Sequence, residues 1–314
     1  MERPRVVGLG RFGALLTGLL PHLPDDDGRR ELATMAMTPD AGVATALRAA
    51  RALGCDAVAV GSVGADAFGT SVAAALDAAR VDTQAVRSVG RSAVEIVWLA
   101  ADGQRRVRTA GDPGGAAADA VTAALTGAAA LLLDGTAPDL ALAAARAARA
   151  AGVTVVLRPV SAPEHAAQLV ELIGECDVLV ASERVVAELA PRGELDDAAR
   201  QLAELGPRAV VLTLGAAGAL ARAGEVTVRR PGVVVEALCE HGTGAVLQGA
   251  LTAALLSRLP LAECLAIANT AAALACRALV PWEGVAPRDE IIATTERVLA
   301  GERPLGEIST SRTA

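Results

Sequence analysis

A chain of 314 residues, 53% of them apolar, is long enough to bury one large core, and its apolar side chains are Ala, Val and Leu with almost no aromatics. The formal charge of −7, without a basic stripe along the chain, argues against a nucleic-acid partner. All 29 cationic side chains are Arg, so no Lys ammonium can serve as a phosphate ligand or Schiff-base amine.

From the N-terminus, RVVGL (5–9) reads as a buried strand. No signal-peptide pattern precedes it and no apolar run is convincing as a membrane span, which predicts a cytoplasmic chain. A helix is expected over 42–53, a strand over 56–60 and a helix over 69–79. Residues 92–100 and 104–109 alternate in polarity around ADG at 101–103, the pattern of a β-hairpin. A hairpin cannot belong to a parallel sheet made by crossovers, so it is placed as a small lid over the strand ends. Strands at 129–133, 153–157, 177–180 and 208–213 then alternate with helices at 138–151, 163–174, 183–189 and 196–205. A second strand pair is expected near 218–235, turning at RAGE, followed by helices at 244–257 and 261–279.

Near-continuous apolar strands separated by helices imply a mostly parallel sheet covered on both faces, a three-layer α/β sandwich with ligands beyond the carboxyl ends of the strands. One domain is expected over 1–305, with a polar tail at 306–314. Cys55, Cys176, Cys239, Cys264 and Cys276 lack CxxC spacing and read as free thiols, not as a disulfide frame or zinc site.

In CEHGTGAVLQGALTAALL (239–256), Gly242, Thr243 and Gly244 form a turn that runs into an apolar helix. Its unpaired N–H groups and the positive helix end can hold an anion, or can simply cap a buried helix. Several segments in order along the chain resemble the ribokinase-like (PfkB) family of carbohydrate and nucleoside kinases. They are VVGLG near the start, VATALRAARALG (43–54) with VGSVGADAFG (60–69), VVLTLGAAGAL (210–220), and GTGA where that family has G-A-G-D. The resemblance implies a ribokinase-like fold, ATP with Mg²⁺ as phosphoryl donor, a small-molecule hydroxyl as acceptor, and a homodimer formed through the lid. It places the nucleotide at Thr213, Gly215 and Gly218 and the anion hole at Gly242, Thr243 and Gly244. The acceptor pocket falls at Asp40, Gly42 and Thr45, with Glu183 as a displaced metal-associated acid.

The departures from the family pattern fall where chemistry would sit. The Asp that takes the proton from the acceptor hydroxyl is Ala245 here, and general-base assistance is worth ~10²–10⁴-fold. Leu15 stands near the Asp that holds sugar hydroxyls, Asp40 and Ala41 at the paired Gly, and Thr45 at the Asn. Ser182 and Val185 stand at the N-x-x-E motif, and Arg158 where a carboxylate is expected. HGTG also resembles the hydroxymethylpyrimidine and pyridoxal kinase branch, whose following Cys is again Ala245; Cys239 lies before the turn. The expectation is therefore an impaired kinase or a nucleotide- or metabolite-binding pseudokinase. The alternative is an active sugar or nucleoside kinase whose base has moved to His241 or Glu240. Asp112 and Asp134 are further candidates for that base, and Asp66 reads as a structural cap.

Overall fold

A computed structural model describes residues 3–23, 31–100, 104–111, 118–160, 166–190 and 193–302. The strands are β1 (Arg5–Arg11), β2 (Ala14–Leu20), β3 (Thr34–Pro39), β4 (Asp56–Val63), β5 (Asp82–Ser88), β6 (Val94–Ala100) and β7 (Arg105–Ala110). They continue with β8 (Ala130–Leu133), β9 (Thr154–Leu157), β10 (Val178–Ser182), β11 (Ala209–Thr213), β12 (Ala219–Ala223) and β13 (Val226–Arg230). The helices are α1 (Val43–Ala52), α2 (Ala67–Ala78), α3 (Ala118–Leu125), α4 (Pro138–Ala150), α5 (Ala166–Gly174) and α6 (Glu183–Leu189). The last five are α7 (Leu195–Glu204), α8 (Thr243–Leu256), α9 (Leu261–Ala275), α10 (Pro281–Gly284) and α11 (Arg288–Leu299).

Nine strands form the main sheet in the order β13-β12-β11-β10-β9-β8-β1-β4-β5, parallel except for the antiparallel pair β12 and β13 at one edge. Successive residues of its central strands feed opposite cores. Val6, Ala130 and Leu132 join the α1, α8 and α9 side, while Val7, Leu131 and Leu133 join the α3, α4, α5 and α7 side. Both faces being apolar is why these strands read as continuous hydrophobic runs. Packing on the first side is close enough to need glycine: a Cβ on Gly249 of α8 would stand 2.0 Å from the Ala46 carbonyl oxygen of α1. Gln248, also in α8 and fully buried, donates from Nε2 to the Leu133 and Val156 carbonyls at 3.0 Å each, fixing the helix to β8 and β9. Among the described residues no helix is long and apolar enough to cross a membrane.

The lid is larger than a hairpin. Its four strands lie in the order β3-β2-β6-β7, so the expected pair at 92–109 is joined by β2 and β3. The chain enters β2 directly from β1 through Gly13, leaving only a two-residue break in an apolar run, which hides the boundary in the sequence. The edge strand β5 was also unforeseen: its DTQAVRS carries almost no apolar signal. Within the lid, Leu15, Val97 and Val107 turn inward toward Val280 and Ala41. Leu16, Ile96 and Trp98 lie in register on the opposite face, beside exposed Met35 and Met37. The hairpin tip 101–103, Asp112, the start of the helix expected from 163 and the tail 306–314 lie outside the described residues.

Candidate functional site

Five parallel strands end along one edge of the main sheet, placing Thr213, Ser182, Arg158, Asp134 and Arg11 at or just past the ends of β11, β10, β9, β8 and β1. From β1 the chain crosses to β4 and β5 on one side, and β8 returns on the other, so the topological switch point falls between β1 and β8. A crevice opens there, lined by Gly10, Arg11, Asp134 and Thr136.

The turn before α8 lies against this edge. Gly242 is left-handed (φ 83°), and a Cβ on it would stand 2.2 Å from the Ala41 Cβ, so the turn rests directly on the start of α1. Thr243 N–H bonds back to the Glu240 carbonyl at 3.3 Å and Ala245 N–H to the Gly242 carbonyl at 3.0 Å. Gly244 faces Arg158, whose Cδ lies 3.7 Å from where a Cβ would be. Ala245 is wholly buried.

Around Arg158 the polar groups are unusually well satisfied, with two exceptions. Asp40 Oδ2 accepts from Gly13 N at 2.8 Å and Oδ1 from Gly42 N at 2.9 Å, bridging the lid root to α1. Burial pushes its carboxyl up to about 7; the charge of Asp134 adds to the rise and the two N–H bonds oppose it. The Thr45 hydroxyl donates to the Asp40 carbonyl at 2.8 Å, so this candidate pocket residue is occupied in holding the turn. Asp134 is buried; its Oδ1 accepts from the N–H and hydroxyl of Thr136 at 3.0 and 2.7 Å. Its Oδ2 packs against Gly42, 2.9 Å from a Cβ built there, an approach that glycine permits. Arg158 Nη2 donates to the Ala41 carbonyl at 3.3 Å, while Nε is sealed from solvent without a partner among the described residues. Burial lowers the pKa of this guanidinium, with Asp134, Asp40 and Glu95 opposing.

His241 Nε2 meets Glu95 Oε1 of lid strand β6 at 2.5 Å, tying the lid to the α8 turn. Glu95 escaped the sequence reading, although an acid inside the apolar run VEIVWLA was a visible signal. Glu240 points to solvent and Leu15 is buried in the apolar lining under the lid. Asp66 caps α2 through Gly69 N at 3.0 Å and holds Ser92 N and Oγ at 2.9 and 2.6 Å, fixing the second root of the lid.

The other half of the edge is lined mainly by backbone and small residues. After Thr213 a single 3-10 turn covers Gly215–Ala217, and Gly218 (φ 97°) leaves room for the Arg230 carbonyl 2.1 Å from a built Cβ. Ser182 caps α6 through Val185 N at 3.4 Å, leaving Glu183 exposed at its first turn. No group of three His, Cys, Asp or Glu that could hold a metal occurs among the described residues.

Comparison with known proteins agrees with this layout. The chain is 27% identical over 278 residues to an ATP-dependent ribose-1-phosphate kinase of Halopiger xanaduensis, covering 86% of this chain and 91% of that protein. It superposes on Arabidopsis thaliana ribokinase complexed with ribose and ATP with a TM-score of 0.81 at 22% identity, covering 94% and 99% of the two chains. Ribokinase of Cryptococcus neoformans in complex with ADP gives 0.75 at 20% identity, covering 93% and 99%. The model of the pfkB family carbohydrate kinases matches residues 31–279, and the chain, with its ribokinase-like sheet, lid and sheet-edge site, belongs to that family.

Proposed function

We propose that this protein binds ATP and a carbohydrate-type ligand across the sheet edge and transfers the phosphoryl group poorly or not at all. One observation carries the reading: Ala245, at the start of α8 where the family resemblance puts the proton-accepting Asp, is a buried methyl group. The neighbouring carboxylates do not readily replace it, because Asp40 and Asp134 Oδ1 already accept backbone or hydroxyl donors. The rest of the machinery supports binding. Gly242–Gly244 and the α8 dipole can hold an anion, and Thr213, Gly215 and Gly218 offer a backbone-lined groove for the nucleotide. Mg²⁺ would enter with the triphosphate. The relative from Halopiger, named for ribose 1-phosphate, adds support for a sugar-type acceptor. The outer lid face, with Ile96, Trp98, Met35 and Met37, suits a homodimer; a monomer in sedimentation at micromolar concentration would remove that part.

Titration calorimetry should detect ATP binding while ADP release over a sugar and nucleoside panel stays near background. Ala245→Asp alone should restore less than tenfold, since Leu15 and Thr45 no longer offer ligand contacts. Recovery of roughly two to four orders of magnitude would instead mean an intact kinase site lacking only its base.

A second reading rests on the His241–Glu95 pair. A carboxylate that orients an imidazole can make it a general base near neutral pH. On this reading the protein turns over with a pH profile governed by one ionisation, and His241→Ala abolishes the activity without affecting ATP affinity.

A further inference from the structure

Two charged side chains stand beside the Gly242–Gly244 turn. Asp134 Oδ2 lies against Gly42, 2.9 Å from a Cβ built there, and Arg158 lies against Gly244, with Nη1 3.9 Å from a built Cβ and Nε enclosed without a partner among the described residues. If Arg158 were only the counter-ion of the buried acids, its guanidinium would be hydrogen-bonded to them. Its bond goes instead to the Ala41 carbonyl, while Asp40 and Asp134 Oδ1 take N–H and hydroxyl donors.

The charges around it point the same way. Glu95 is engaged by His241, and burial raises the carboxyl of Asp40 to about 7, which weakens its negative charge near neutral pH. Arg11 at the end of β1 and the positive end of α8 add to the positive side of the site. A guanidinium also presents a planar fork of donors suited to phosphate or carboxylate oxygens.

Building on the reading above, we propose that Arg158 is the specificity-determining residue for an acceptor ligand that already carries a phosphate. The phosphate lies on Arg158 and a ring hydroxyl donates to Asp134 Oδ2. The phosphate pairs with the edge of the guanidinium that faces Gly244, where Nη1 lies, whereas a neutral sugar brings that buried cation no counter-charge. The same fork could in principle serve the terminal phosphate of the nucleotide, so the test separates the two sources.

Calorimetry on the full chain would compare ribose 1-phosphate, ribose 5-phosphate and fructose 6-phosphate with ribose and fructose, and ATP separately. At least one phosphorylated sugar should bind ten-fold or more tightly than its parent. Arg158→Met should erase that preference while ATP affinity stays within two-fold, and Arg158→Lys, which keeps the charge but not the fork, should recover only part of it. Should Arg158→Met fail to fold, protection of Arg158 from phenylglyoxal by the sugar phosphate in the unmodified protein gives the same readout by peptide mass. No phosphorylated sugar exceeding its parent, or no protection, overturns the proposal even when ATP binds. Loss of ATP affinity in Arg158→Met with the sugar preference intact assigns Arg158 to the nucleotide and overturns it too. Absence of ATP binding to the unmodified protein would sink the nucleotide reading alone, because the sugar comparison stands without it.

Discussion

The two halves of the sheet edge are built from different materials. At β10 and β11 the candidate nucleotide half is built mainly of backbone: a 3-10 turn with Gly215 and Gly218. At β1, β8 and β9 the acceptor half consists of side chains, with Asp40, Asp134, Arg158, Glu95 and His241 linked through the lid root. A backbone cradle depends on φ and ψ and tolerates drift in everything but its glycines. A side-chain pocket changes its meaning with each substitution. On the proposed reading, that difference lets the family fold persist while the acceptor half carries the departures expected at Leu15, Thr45, Arg158 and Ala245.

The comparison can be broken most severely at Gly218. Valine there would combine an unfavourable positive φ with a Cβ 2.1 Å from the Arg230 carbonyl, and should cost about 3 kcal/mol or more. Denaturant melts should show the loss, and ATP affinity should fall with it; a stable Gly218→Val protein that still binds ATP would mean the nucleotide half is not a backbone cradle.

In the acceptor half the expected effect is a pH dependence. The folded pKa of Asp40 is raised to about 7 from its model-compound 3.8, so the folded state binds this proton more tightly than the unfolded chain. The contribution is present at pH below about 4 and is lost as pH rises through the window up to about 7. Stability measured across that window should decline, and Asp40→Asn should flatten the decline. An unchanged slope would show that another group carries it.

The smallest effect should come from Gly215→Ala. The φ of 53° is unfavourable for alanine, but nothing lies within 4 Å of the new methyl group, so a loss of about 1 kcal/mol is expected. Nucleotide affinity should be nearly unaffected unless the phosphates approach that backbone closely, in which case calorimetry will register the methyl group as a steric block.

The central strands were legible because two-sided burial writes itself as runs such as ALLL and TVVL. The α8 turn was legible because glycine spacing and a following apolar helix leave few alternatives. β2 was not, because only two residues, Phe12 and Gly13, separate lid from sheet in a largely apolar run. β5 was hidden for the opposite reason, as an edge strand with little to bury. In the site, Asp40 and Arg158 could be noticed as misfits to a pattern, but not their relation. They lie 118 residues apart, and the bond between Arg158 and the Ala41 carbonyl exists only once α1 and β9 share an edge. Glu95 and His241, 146 residues apart, meet in the same way only once lid strand β6 lies beside the α8 turn.

The contact at Gly249 reaches further than packing. With the Ala46 carbonyl only 2.0 Å from a built Cβ, α1 and α8 meet backbone to backbone, with no side chain between them to act as a cushion. Two rods in such contact cannot slide or roll independently, so the turns at their N-terminal ends, 40–42 and 242–244, behave as one jaw. Their spacing is set by the one side chain that is missing, so a single added methyl group at position 249 would wedge the helices apart and separate the two turns.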